Sequence, residues 1–338
     1  MVVVMKAEAT EEDIQRVAEK VRDAGGEAFV SRGKYQTIIG LVGDTTRFTS
    51  LPLQLMPGVE NVMRIGKPYK MVARGLHPAP TTIKVGTAAV GRDSFALIAG
   101  PCAVESEEQA MAAASAAKAA GASILRGGAY KPRTSPYSFQ GLGERGLEIL
   151  AECRAETGLP IVTEVVDASH VEHVAAVADC LQVGTRNMQN FELLKEVGQT
   201  HKPTMLKRGM AATIEEWLMA AEYVAQRGNQ EIILCERGIR TFEPATRNTL
   251  DLSGMIVAQQ ETHLPVIVNP SHATGRKELV APMARAALAA GADAVMIDVH
   301  PNPEDALCDG PQALTPDEVA VVGAELAALA RALGRRMA

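Results

Sequence analysis

A chain of 338 residues has room for one large buried core plus a small second domain, and 47% hydrophobic with 22% charged content marks it as globular rather than disordered. No apolar run is long enough to cross a bilayer, and the opening MVVVMKAEATEED lacks the features of a signal peptide, so a cytoplasmic protein is expected. A net charge of −6 gives no support to nucleic-acid binding, and five scattered cysteines with no CxxC spacing argue against a disulfide framework or a structural zinc site.

Residues 1–68 read as a small unit of their own. VVVM is a strand, and TEEDIQRVAEKVRDAGG places Ile14, Val17, Ala18 and Val21 at helical spacing, with Thr10 as N-cap and Gly25 as a stop. AFVSRGKYQTIIGLVG predicts a hairpin, TRFTSLPLQL a short helix and VENVMRIG a last strand. This β-α-β-β-α-β order is the ferredoxin-like arrangement. The Pro-, Gly- and Lys-bearing segment GKPYKMVARGLHPAPTT reads as a linker, assigned to residues 69–81.

Over residues 82–338 the pattern changes to short β-branched runs alternating with Ala-rich helices. The runs are FALIAG, SILRGG, PIVTEVVD, CLQVGT, TMLKRG, EIILCERG, PVIVNP and AVMIDVH. Ser106–Gln109, Ser169–Glu172, Thr213–Glu216 and Thr315–Glu318 have capping-box spacing and predict helix starts. Eight such units suit a (β/α)8 barrel. The rival is a doubly wound sheet, which usually has fewer strands and often a GxGxxG turn, and no such turn occurs. An α/β barrel behind a small α+β domain is therefore the expected fold.

In such a barrel the active site lies at the C-terminal strand ends. Read in order, those ends carry Cys102, Arg126, Glu164, Arg186, Lys207, Arg237, His272 and Asp298. Any one of them alone is an ordinary loop or core residue; a full set that must be solvated at one mouth has no structural purpose. Arg126, Lys131, Arg133, Arg186, Lys207 and Arg237 bring six cations to one rim of an acidic protein. Arg favours bidentate phosphate or carboxylate recognition and Lys supplies a point charge, so two phosphorylated substrates, or a phosphorylated carboxylate plus a second phosphate, fit the count. Cys102, His272, Asp298 and Asp309 offer one sulfur, one nitrogen and two oxygen donors, a mixture suited to Mn, Fe, Co or Zn. Their bland alternatives are a small buried Cys, a helix-capping His and an Asp paired with Arg.

The motifs AGPCAVES, LRGGAYKPRTSPYSFQGLG, LQVGTRNMQN, LKRG, ERGIRTF, NPSH and VHPNPEDALCDGPQAL resemble, in order and spacing, 3-deoxy-D-arabino-heptulosonate-7-phosphate (DAHP) synthase. The first domain resembles the regulatory extension of that family's type I-beta branch. The resemblance implies condensation of phosphoenolpyruvate with erythrose 4-phosphate, releasing phosphate, as the first step of the shikimate pathway. It assigns Arg126, Lys131, Arg186, Lys207 and Arg237 to phosphoenolpyruvate, with Gly184 and Thr185 in the same motif as Arg186. Pro132, Arg133 and Thr134 fall on the erythrose 4-phosphate loop. Lys131 would serve in proton transfer and Glu164 would help handle the attacking water. Cys102, His272, Asp298 and Asp309 would hold a divalent metal, Mn2+ foremost, with Fe2+, Co2+ or Zn2+ as alternatives.

Two positions depart from the family. Asp298 stands where Glu is usual, and Asn269 opens an NPSH motif that commonly begins with Asp, which implies altered metal affinity or choice. Cys308, next to Asp309, would meet Cys102 when the metal is absent, making an oxidation-sensitive pair. The resemblance also implies an aromatic amino acid effector, phenylalanine or tyrosine, sensed by the first domain, and a homotetramer. Two other readings stay open. The sister enzyme 3-deoxy-D-manno-octulosonate-8-phosphate synthase lacks the KPRTS loop, and an inactive metabolite-binding regulator would be free to lose the strand-end set.

Overall fold

In a computed structural model of the chain, residues 1–33, 36–63, 66–75, 77–133 and 135–338 are described, apart from the side chains of Thr45 and Thr46. The chain divides into two units, Met1–Pro68 and Tyr69–Ala338. The first runs β1 (Val2–Met5), α1 (Glu11–Asp23), β2 (Glu27–Arg32), β3 (Thr37–Val42), α2 (Thr45–Thr49) and β4 (Val59–Met63). Its strands pair antiparallel in the order β2-β3-β1-β4, the ferredoxin-like topology. Thr10 and Asp13 form a reciprocal capping box at the start of α1, and the stripe Ile14, Val17, Ala18 and Val21 is buried. The helix expected over TRFTSLPLQL is instead α2 followed by a separate 3-10 turn at Leu53–Leu55. Pro52 lies between them and cannot donate the hydrogen bond a continuous helix needs.

Among the described residues of the second unit, eight parallel strands close into a barrel. After a short hairpin, β5 (Ile83–Val85) and β6 (Ala88–Val90), come β7 (Ser94–Gly100), β8 (Ile124–Arg126), β9 (Ile161–Val165) and β10 (Cys180–Val183). They are followed by β11 (Thr204–Lys207), β12 (Ile232–Glu236), β13 (Val266–Val268) and β14 (Ala294–Asp298), which pairs back onto β7. The outer helices are α3 (Glu107–Ala119), α4 (Glu144–Thr157), α5 (Val171–Val177), α6 (Phe191–Gln199), α7 (Ile214–Ala225), α8 (Leu252–Glu261), a short α9 (Pro270–Thr274), α10 (Lys277–Ala289) and α11 (Pro316–Ala332).

Alternation along the strands sends one set of side chains outward against the helices and the other inward. The inner set, including Ile98, Ile124, Val162, Met205, Ile233, Ile267 and Met296, packs with Ile83, Val85 and Val90 of the hairpin in a cluster separate from the outer core. Three of the expected helix starts are as predicted: Ser106 caps α3, and Thr213 and Thr315 form capping boxes on α7 and α11. Ser169 caps nothing. Its N–H and hydroxyl donate to Asp167 Oδ1, which starts a 3-10 turn, and α5 begins only at Val171.

Residues 69–81 belong to the barrel unit. The Tyr69 hydroxyl donates to Glu261 at 2.7 Å, and the N–H groups of Met71 and Val72 donate to the buried Glu222 carboxylate at 3.0 and 3.1 Å. No helix among the described residues is long and apolar enough to cross a membrane.

Candidate active site

The C-terminal strand ends open into a cleft of about 260 Å³. Lys131, Pro132 and Arg133 come from the loop after β8, Glu164 from β9, Gly184, Thr185 and Arg186 from the turn after β10, and Lys207 from the end of β11. Arg237 follows β12, His272 lies on α9, and Asp309 lies on the segment after β14. All these predicted residues line one wall or another of the cleft. Cys102, Arg126 and Asp298 do not line the cleft and are buried, at 5%, 2% and 0% exposure. Thr134 is outside the described residues.

The cations crowd each other. Burial, then Arg126, pulls the Lys207 ammonium below its usual value. Burial, then Arg247, pushes Arg237 down to about 10, so it remains charged at neutral pH. Like charges compressed into a poorly solvated cleft are relieved by anions. Buried donors are nearly always satisfied, yet Arg126 Nε, Arg237 Nη1 and Thr185 Oγ1 are buried and have no hydrogen-bond partner among the described residues. These features suit anionic ligands.

Glu164 reaches the cleft because residue 184 is glycine. A Cβ there would come within 2.0 Å of Glu164 Oε1, whose other oxygen accepts from Gln182 Nε2 at 2.9 Å. Gly184→Ala must therefore push the carboxylate aside. A displacement of that size costs about 10²-fold in kcat where the group is positioned for chemistry, with little change in thermal unfolding; steady-state kinetics within threefold of the parent would show that Glu164 is idle.

The metal-type donors gather at one wall. Cys102 Sγ lies 3.0 Å from Asp309 Oδ2, and His272 Nε2 lies 3.6 Å from both Cys102 Sγ and Asp309 Oδ2. Bond lengths of about 2.0–2.3 Å to a tetrahedral ion put ligand atoms roughly 3.3–3.8 Å apart. The triangle therefore fits an ion, with its sulfur–oxygen edge drawn in by the thiol hydrogen bond. Burial opposes charge on Asp309, but His272, Arg247 and Lys131 hold its carboxyl well below the usual range, ready to ligate.

Asp298 joins Cys102 and His272 in a second donor group whose ligand atoms lie within 4.8 Å of one another; its Oδ2 is 3.1 Å from His272 Nδ1 and its Oδ1 3.0 Å from Arg126 Nη1. Burial would raise its carboxyl; His272 and Arg126 hold it well below the ordinary value. Asn269 retains what an Asp would do as helix cap, since its Oδ1 accepts the His272 N–H at 2.8 Å. Its uncharged side chain leaves Asp298 as the carboxylate beside Nδ1. Cys102 and Cys308 are both free thiols in mutual contact; Cys102 is raised by its bond to Cys308 and by burial, and Cys308 is lowered by accepting that bond.

Two residues were missed. Arg247 lines the cleft, and its Nη1 donates to Asp309 Oδ1 and Gln312 Oε1, both at 2.9 Å; Gln312 Nε2 donates to Asp298 Oδ2 at 2.6 Å. Neither is a strand-end residue, so reading strand ends could not find them. The polar loop FEPATRNT after β12 was the available signal.

Comparison with known proteins shows the family. Residues 78–332 match the model of the DAHP synthetase I family, and residues 1–67 match that of the DAHP synthase ferredoxin-like domain. The chain is 48% identical over 334 residues to a phospho-2-dehydro-3-deoxyheptonate aldolase of Thermotoga maritima, covering 99% of each. A 2-dehydro-3-deoxyphosphooctonate aldolase of Syntrophotalea carbinolica is 34% identical over 259 residues, 71% of this chain and 92% of its own. Among solved structures, the Thermotoga maritima phospho-2-dehydro-3-deoxyheptonate aldolase (DAHP synthase) superposes with a TM-score of 0.93 at 47% identity, covering 100% of this chain and 99% of that one. A truncated form of the Thermotoga enzyme superposes at 0.74, over 79% of this chain and 98% of its own. On sequence, on fold and in both of its domains, the chain belongs to the DAHP synthetase I family.

Proposed function

We infer that the protein condenses phosphoenolpyruvate with D-erythrose 4-phosphate and water to DAHP and phosphate, the entry step of the shikimate pathway, as a cytoplasmic homotetramer. The observation that carries this is the cleft in which Lys131, Arg133, Arg186, Lys207 and Arg237 converge beside the Cys102, His272 and Asp309 donors. Two phosphates and one carboxylate are the charges that such a cleft is built to neutralise.

Arg186, Lys207 and Arg237, with Arg126, hold phosphoenolpyruvate. By resemblance Arg133 and Thr134 hold the phosphate of the sugar, and Pro132 fixes the backbone just before Arg133. Lys131 Nζ lies 3.1 Å from Cys102 Sγ, beside the metal-type donors. Burial works against its charge, but the sulfurs of Cys102 and Cys308 outweigh that effect and raise its pKa, so it enters the reaction as a proton donor. Glu164, which also lines the cleft, orients the water that adds to the electron-poor carbon. Cys102, His272, Asp298 and Asp309 would hold the divalent ion, Mn2+ by resemblance, which when bound supplies Lewis-acid polarisation of the aldehyde oxygen. The first domain would sense phenylalanine or tyrosine and shift the equilibrium of the barrel.

Phosphate release from phosphoenolpyruvate plus erythrose 4-phosphate tests the reading, beside a parallel assay with arabinose 5-phosphate. Turnover with the four-carbon sugar, lost in EDTA and restored by Mn2+, is the expected result. Preference for the five-carbon sugar would transfer the chain to the octulosonate reaction. In the same assay, deleting residues 1–68 should preserve turnover and remove inhibition by the amino acid; inhibition that survives places the sensor on the barrel.

A further inference from the structure

The cleft cations Lys207 and Arg237 each have a charged neighbour in the chain that does not line the cleft. Along β11 and β12, Met205, Ile233 and Cys235 belong to the cluster inside the barrel, while Leu206, Ile232 and Leu234 belong to the outer core. Continued by one or two residues, that alternation sends Lys207 and Arg237 to the mouth and Arg208 and Glu236 to the helix side.

There the two neighbours meet. Arg208 and Glu236 are 6% and 0% exposed, and Arg208 Nη1 donates to Glu236 Oε2 and to Asp251 Oδ2, both at 2.9 Å. Arg208 Nε donates to the Ala212 carbonyl ahead of α7, and the guanidinium lies 5.9 Å from the Trp217 ring. Asp251 Oδ1 caps α8 by accepting the Gly254 N–H at 2.7 Å. The other Glu236 oxygen, Oε1, accepts the Gly238 N–H at 2.6 Å.

These bonds hold the cleft cations through the backbone. Glu236 and Gly238 bond to each other around Arg237, so the turn that carries this guanidinium is closed. Gly238 has φ 91°, and a Cβ there would lie 2.7 Å from Asn248 Cβ and 2.9 Å from Ala273 Cα, so the turn requires glycine. Lys207 precedes Arg208, whose N–H donates to the Cys235 carbonyl at 3.0 Å. The side-chain pair therefore ties together the two strand ends from which Lys207 and Arg237 enter the cleft. Stability alone does not account for it, since a buried ion pair replaced by apolar side chains of similar volume is often neutral or stabilising.

We propose that Arg208, Glu236 and Asp251 are positioning residues, a buried brace that sets the spacing of Lys207 and Arg237 and through it the grip on phosphoenolpyruvate. This rests on the reading above that gives those two cations to phosphoenolpyruvate. The sugar phosphate, assigned to the loop after β8, is outside the reach of the brace.

Glu236→Gln in metal-loaded, full-length protein tests it. Glu236 stands between two donors, so an amide in its place turns its NH2 toward one of them and breaks that side of the brace. The dissociation constant of phosphoenolpyruvate, measured by calorimetry without the sugar phosphate, and its KM should both rise about 10- to 10²-fold, the scale set by displacements of up to 1 Å. The KM for erythrose 4-phosphate should stay within about twofold. Arg208→Met should act alike, and Arg208→Lys, which keeps a cation opposite Glu236, should recover part of the loss. Asp251→Asn keeps the oxygen that caps α8; it should shift the same constants by less, and it carries the test if Glu236→Gln does not fold. A merely structural role would lower the unfolding midpoint and leave the phosphoenolpyruvate affinity of the folded protein unchanged. That result overturns the brace, as does an equal rise in both KM values. Wild-type protein that binds no phosphoenolpyruvate overturns the functional reading, and the brace with it.

Discussion

Replacing Lys131 with Met is expected to lower kcat by about 10²–10⁴-fold, the range set by loss of a positioned proton donor. Lys131 is 9% exposed, and its Nζ donates to the Cys102 carbonyl at 3.2 Å and to Cys102 Sγ at 3.1 Å. Its backbone N–H is pinned to the Gln140 carbonyl at 2.8 Å, so the ammonium is aimed by the loop rather than free to roam. Met fills the same channel without charge. Metal content and unfolding are measured in parallel, because Lys131 Nζ donates to the sulfur of Cys102; a kcat loss at unchanged metal content assigns the effect to the proton. A kcat within tenfold of the wild type would move the proton donor to another group.

Arg126→Met should act first on stability. The guanidinium and the Asp298 carboxylate are 3% and 0% exposed and 3.0 Å apart, and Arg126 also donates to the Pro101 carbonyl at 2.8 Å. Removing one partner of a buried pair leaves the other charge uncompensated and costs about 3–5 kcal/mol. Asp298 keeps Gln312 and His272 as partners, which places the expected loss toward the lower end. The single tryptophan, Trp217, is fully buried on α7, so its fluorescence in a urea titration reports the barrel. The double variant Arg126→Met, Asp298→Asn should regain most of the loss, since the orphaned charge is gone. A single variant within about 1 kcal/mol of the wild type would mean the pair is solvated or dispensable.

Much of this was legible in the chain. A parallel barrel strand is a short β-branched run followed by a helix with a readable cap, and that local grammar repeats whatever lies across the barrel. Because all eight strands run the same way, the residue ending each run must face the same mouth. That is why Glu164, Lys207 and Arg237 could be placed in one cleft from their positions alone. The ferredoxin-like order of the first domain was legible for the same reason, although Pro52 divided a helix that hydrophobic spacing alone would have continued.

What the tertiary structure alone decided concerns atoms brought together from distant segments. Arg247 meets Asp309 across 62 residues and Gln312 across 65, from loops with no periodicity to read. Asp298 and Glu share a charge and a strand-end position, and the chain cannot show that the shorter arm meets His272 and Arg126 at once, 3.1 and 3.0 Å away. Cys308 was expected to meet Cys102, and the two pack together, 206 positions apart in the chain, beside the left-handed backbone at Asp309. Local composition determines which elements form and which end of the barrel is charged; dihedral angles and long-range packing determine which of those charges touch.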